Sequence, residues 1–116
     1  MSNKILIKSN RDPLFGHTRE ELIQQFRTTL NGRVKAGYFF GSFAQDRVNT
    51  ESDIDLILIV ETEVPFLERS REFSDLLDIV PTVDILVYTS VEFAALTENP
   101  SAGFWQSVVR SLHRFM

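Results

Sequence analysis

The feature that most constrains this chain is the run Ile54-Asp55-Leu56-Ile57-Leu58-Ile59-Val60. An almost unbroken apolar stretch of this length reads as a strand covered on both faces, so the fold needs a layer on each side of a sheet. Asp53 and Asp55 open the run. Alternate residues of a strand project to one face roughly 6.6 Å apart, so both carboxylates can aim at one point, which suits a divalent cation. Eleven residues before Asp53 stands Ser42, in Phe39-Phe40-Gly41-Ser42-Phe43-Ala44. A strand that runs into Gly-Ser can present backbone N–H groups at the start of a following helix, where glycine lets a phosphate approach closely.

The rest of the chain supplies the layers. Thr18-Arg19-Glu20-Glu21 fits a capping box, and Leu22, Ile23, Phe26 and Leu30 recur at helical spacing until Asn31-Gly32, predicting a helix over residues 19–30. Val34 to Phe40 favours a strand that feeds Gly41-Ser42, followed by a short helix or turn and then the polar, turn-like Asn49-Thr50-Glu51-Ser52. Pro65 suits a first helical turn, with Phe66, Leu67, Ser70, Phe73, Leu76 and Leu77 as its inward face until Val80-Pro81 forces an extended backbone. A third strand is expected at Val83 to Tyr88, then a helix capped by Thr89 or Ser90 and stopped by Asn99-Pro100. Ser101 can cap a last helix, along which Phe104, Trp105, Val108, Val109, Leu112 and Phe115 form an apolar stripe for the sheet or for a partner. The first ten residues, with Lys4-Ile5-Leu6-Ile7-Lys8, suit a short edge strand or an arm, and residues 1–17 are read as an N-terminal arm. The expectation is a single α/β domain with a small mixed sheet of three main strands flanked by helices.

Composition narrows the function classes. At 116 residues the chain is one domain long, and its lack of cysteine removes disulfides, thiolate nucleophiles and cysteine zinc sites together. No apolar run approaches a membrane span and the N-terminus has no signal-peptide pattern, so cytoplasm is the expected location. A formal net charge of −4 offers no general attraction to a nucleic-acid backbone, and non-specific DNA binding is not expected. A phosphate ligand should therefore be small and accompanied by a cation, which points to a nucleotide.

Gly41-Ser42 closes one strand whereas Asp53 and Asp55 open the next, so they meet at one edge only if these strands are antiparallel. Asp84 opens the third strand and joins that edge if the third strand is parallel to the second. Three gathered carboxylates would repel one another without a cation. Two divalent ions roughly 3.5–4 Å apart, held by such acids and by substrate phosphates, can activate an attacking oxygen and stabilise a leaving pyrophosphate.

In these residues the chain resembles the nucleotidyltransferase superfamily that includes DNA polymerase beta, over roughly residues 20–115, and within it the minimal MNT proteins that pair with helical HEPN toxins. The resemblance implies a mixed sheet and magnesium-dependent use of a nucleoside triphosphate, with ATP the expected substrate and two Mg2+ ions the expected cofactor. It also implies transfer of a nucleoside monophosphate to an acceptor hydroxyl, expected on a HEPN-type partner. Carried over residue by residue, Gly41 and Ser42 hold the triphosphate, Asp53 and Asp55 bind metal, and Asp84 completes the metal site and helps activate the acceptor. Members commonly continue x-Ala-Arg-Gly after Gly-Ser, whereas this chain has Phe43-Ala44-Gln45-Asp46. Arg47 is the basic residue able to substitute for the missing arginine; Lys35 is a second conceivable phosphate contact, although a strand-end lysine is more often solvent-exposed.

Simpler readings stand beside this one. Gly41-Ser42 alone is an ordinary turn, the acids alone are strand-end residues, and His17, His113, Trp105 and the phenylalanines read as surface or core groups. A dehalogenase-like phosphatase places its Asp-x-Asp after the apolar strand, the reverse of the order here. The stronger rival is a catalytically weak member of the same fold that neutralises a toxin by contact.

Overall fold

The computed structural model describes residues 14–47 and 53–116. The segment Lys4-Ile5-Leu6-Ile7-Lys8, open between a short edge strand and an arm, and the polar turn at Asn49-Thr50-Glu51-Ser52 lie outside the described residues. Among the described residues, four strands, β1 (Ala36–Phe40), β2 (Ile54–Ile59), β3 (Val83–Tyr88) and β4 (His113–Arg114), form one mixed sheet in the order β3-β2-β1-β4. β1 runs antiparallel to both β2 and β4, and β2 runs parallel to β3. The antiparallel and parallel pairings expected for the three main strands are thus both present. β4 is an addition: its two residues carry no strand pattern of their own, and they pair because Phe115, just beyond them, is buried at 5% exposure and stacks on Phe39 at 4.3 Å.

Two cores lie on opposite faces of the sheet. On one face, Leu22, Phe26 and Leu30 of α1 (Arg19–Leu30) pack with Phe39, Ile54, Leu56, Leu58, Phe73, Leu76 and Phe115. The other face gathers Ala36, Phe40, Ile57, Ile59 and Val108, joined by Tyr38, Leu86, Tyr88, Phe93, Trp105 and Leu112. This double covering is why β2 is apolar at nearly every position. α1 starts as its sequence specifies: the Thr18 hydroxyl accepts the Glu21 N–H at 3.1 Å while the Glu21 carboxylate accepts the Thr18 N–H at 2.7 Å. Gly32, at φ +78°, turns the chain after it.

α2 (Gly41–Ala44) is one turn long, and α3 (Phe66–Arg69) continues into a 3-10 segment, Ser70–Asp78, rather than the single expected helix. The break follows from Phe73, at φ −115° and ψ 18°, which leaves helical geometry to bury its ring. Phe73 and Leu76 therefore face inward as expected, but Phe66, Leu67 and Leu77 are exposed, Leu67 at 86%. Arg69 is the buried charge of this region. Its guanidinium pairs with Glu92 at 2.6 and 3.1 Å and donates to the Val64 and Val87 carbonyls, joining α3 to β3 and to α4 (Ser90–Glu98).

Thr89 caps α4 in a second capping box, with Glu92 as its acidic partner. Gly103, at φ +86°, rather than Ser101, precedes α5 (Phe104–Ser111). α5 ends before Phe115, so the stripe expected along one helix divides between the two faces of the sheet. Among the described residues no helix is long and apolar enough to cross a membrane.

Candidate active site

The site is set by strand register. Phe40, the last residue of β1, pairs with Asp55, and Asp55 pairs across the parallel ladder with Asp84. Register partners share a face, so Asp55 and Asp84 project to the side that buries Ile57, Ile59, Leu86 and Tyr88 farther along the same strands. Asp53 precedes Asp55 by one alternation at the mouth of β2 and is exposed, as is Asp84, whereas Asp55 is half-buried. The expected meeting of Gly41-Ser42, Asp53, Asp55 and Asp84 at one sheet edge is present in the fold.

Electrostatics marks this edge. Burial, then the Asp84 charge, then the Asp53 charge push the Asp55 carboxyl up to about 6. Asp84 is also raised, first by burial, then by the charge of Asp53 and by a hydrogen bond between the two carboxyl groups. Asp84 and Asp53 thus penalise ionisation of Asp55, and Asp53 penalises that of Asp84. Near them, at the lead-in to β3, the Thr82 carbonyl accepts the Ile54 N–H at 2.7 Å. The Thr82 hydroxyl is a buried oxygen without a hydrogen-bond partner among the described residues.

Gly41 stands against this group at φ +73°, and a β-carbon there would lie 2.7 Å from Asp55 Oδ2. Only glycine allows the loop backbone to pass so close to the carboxylate. The Gly41 N–H donates to Ser111 Oγ at 2.9 Å, a contact between residues 70 apart for which the sequence carries no signal. Ser42 follows as the second residue of α2. Arg19 braces the far end of this turn, donating to the Phe43 carbonyl with its guanidinium 4.4 Å from the Phe43 ring centroid. This brace is likewise not legible from spacing.

The departure after Gly-Ser has a backbone counterpart. Asp46 takes φ +57°, the left-handed conformation that glycine adopts without strain. Gln45, Asp46 and Arg47 are exposed, and the Arg47 N–H donates to the Ser42 carbonyl at 2.8 Å, so its side chain departs from the loop itself. Lys35 is not at the site. It precedes β1 at the end opposite Gly41, its backbone bonds to Ile59, and its ammonium pairs with Glu61 at 3.1 Å.

Residues 20–111 match the family model described as polymerase beta, nucleotidyltransferase. No curated protein matches the chain. Among solved structures, similarity extends to a provisionally named nucleotidyltransferase from Sulfolobus solfataricus, 23% identical over 81% of this chain and 82% of that one, with a TM-score of 0.49. A toxin–antitoxin structure with AMP-PNP is 20% identical over 85% of this chain and 73% of that one, with a TM-score of 0.47. Because the family match spans well over half of the sequence and takes in Gly41, Ser42 and all three aspartates, the chain belongs to the polymerase beta nucleotidyltransferase family.

Proposed function

We propose that this chain is a single minimal domain that transfers a nucleoside monophosphate, AMP from ATP, to a hydroxyl group on a partner protein, with magnesium as cofactor. The observation that carries the reading is the register Phe40–Asp55–Asp84, which sets Gly41 and the three carboxylates at one edge. The donor set fits a hard divalent cation: Asp53, Asp55 and Asp84 offer oxygen alone, and their mutual repulsion is what bound positive charge would relieve. Among the described residues, no three acidic or histidine side chains stand as a ready-made ligand set. Asp53, Asp55 and Asp84 are the residues that would hold the cation. When bound, magnesium supplies charge neutralisation of the triphosphate and Lewis-acid polarisation at the transferred phosphorus.

In this scheme Gly41 and Ser42 cradle the triphosphate and Arg47 offers a basic group from the same loop. The acceptor oxygen bonds to the α-phosphorus as its proton passes to the Asp84 carboxylate. The bond from the α-phosphorus to the bridging oxygen breaks, and pyrophosphate leaves with the electron pair. The acceptor is assigned to a helical, HEPN-type partner in an antitoxin role, with exposed Phe104 and Val109 of α5 as contact residues.

Incubation of the co-purified partner with each nucleoside triphosphate and magnesium, followed by intact mass measurement, tests the reading. A nucleoside-monophosphate adduct on the partner, lost in Asp53→Ala/Asp55→Ala, is the expected result. A second reading, neutralisation by contact alone, is favoured by the exposed, negatively charged Asp46 where the loop should welcome phosphate. It wins if no adduct forms and the double variant still neutralises the partner.

A further inference from the structure

We propose that Ser111 is a positioning residue for the triphosphate loop, holding the Gly41 amide so that the first turn of α2 faces the nucleotide; this rests on the nucleotidyltransferase reading. Ser111 closes α5 and is buried at 8% exposure. Its Oγ lies 3.2 Å from the Ser107 carbonyl and 3.3 Å from that of Val108, and one of them takes the hydroxyl proton. With its proton directed into its own helix, the oxygen presents a lone pair outward. The Gly41 N–H meets that lone pair at 2.9 Å.

Gly41 has particular need of such a tether. At φ +73° it occupies one of several conformations that glycine reaches at similar cost, so its own backbone does not select the orientation of the Phe40–Gly41 peptide. Its N–H has no partner within a turn that begins at Gly41. The side-chain oxygen of Asp55 limits Gly41 from another direction, 2.7 Å from where a β-carbon would stand. Fixing the Gly41 N–H sets the entry into α2, and with it the direction of the Ser42 and Phe43 amides. Loss of Ser111 Oγ removes the partner that fixes this partly buried N–H, and the peptide is left free to rotate. The C-terminal helix thereby controls a loop that lies at the end of β1.

The test compares the full chain with Ser111→Ala, Ser111→Thr and Ser111→Cys. Amide hydrogen exchange of Gly41 is followed by NMR, and binding of AMP-PNP with magnesium is followed by calorimetry. Ser111→Ala should speed Gly41 exchange about tenfold and weaken AMP-PNP about tenfold, while β2 and β3 amides keep their protection. Across the three variants affinity should follow Gly41 protection. Unchanged Gly41 exchange in Ser111→Ala overturns the proposal, as does lost protection with unchanged or tighter AMP-PNP binding, since the hydroxyl would then be a competitor for the amide. If wild type protects Gly41 but binds no AMP-PNP, the nucleotidyltransferase reading fails and the positioning role falls with it.

Discussion

At the scale of single residues, the loop after β1 is governed by two backbone conformations that its side chains make consequential. Asp46 carries an L side chain at φ +57°, where glycine is unstrained, so Asp46→Gly should stabilise the fold by about 0.5–1 kcal/mol. A urea midpoint that stays level or falls would mean that the Asp46 side chain compensates for its backbone. Gly41 is the opposite case. Gly41→Ala brings a β-carbon to 2.7 Å from Asp55 Oδ2 at a left-handed φ, and should cost about 2 kcal/mol or more by denaturant titration. It should also remove triphosphate binding. Gly41 was legible as a special position because strand, Gly-Ser and acids follow in order, but its closeness to Asp55 depends on cross-strand register. Lys35 lies away from the site for the same reason: position near a strand in sequence does not say which end of the sheet a side chain serves.

At the scale of elements, β2 combines a buried strand with an acid that resists ionisation. Burial and the neighbouring Asp84 and Asp53 charges push the Asp55 carboxyl up from 3.8 to about 6, so above pH about 6 the folded state holds a charge that the unfolded chain carries more easily. This destabilisation is fully present above pH about 6 and is relieved as the pH falls from there toward 3.8. Asp55→Asn should therefore raise the melting midpoint of the metal-free protein at pH 7.5 and change it little at pH 4. A midpoint equally shifted at both pH values would assign the effect to packing instead of charge. Helix α1, with its capping box and buried face, was readable because its determinants lie within four residues of one another. The 3-10 segment was not, because Phe73 leaves helical geometry to reach a pocket built from distant residues, and that pull exceeds the local preference for helix.

At the scale of the whole molecule, the C-terminal segment binds the two ends of β1. Ser111 meets Gly41 at one end, while Phe115 stacks on Phe39 and fills the space beside Gly37, where a β-carbon would approach its ring to 2.8 Å. Phe115→Ala should cost about 3–5 kcal/mol in equilibrium unfolding, the range for a buried aromatic ring. A loss below about 1 kcal/mol would show β4 to be dispensable. By itself the sequence determined the layered α/β class, the three main strands, the capped helices and the ordered set Gly41, Ser42, Asp53, Asp55 and Asp84, since apolar periodicity and capping are local properties of the chain. Tertiary structure alone decided that β4 closes the sheet, that the apolar stripe of the last helix divides between two faces, and that Ser111 holds Gly41. These depend on which surfaces remain to be buried once the sheet has formed, and a burial partner 70 residues away leaves no periodic trace in sequence.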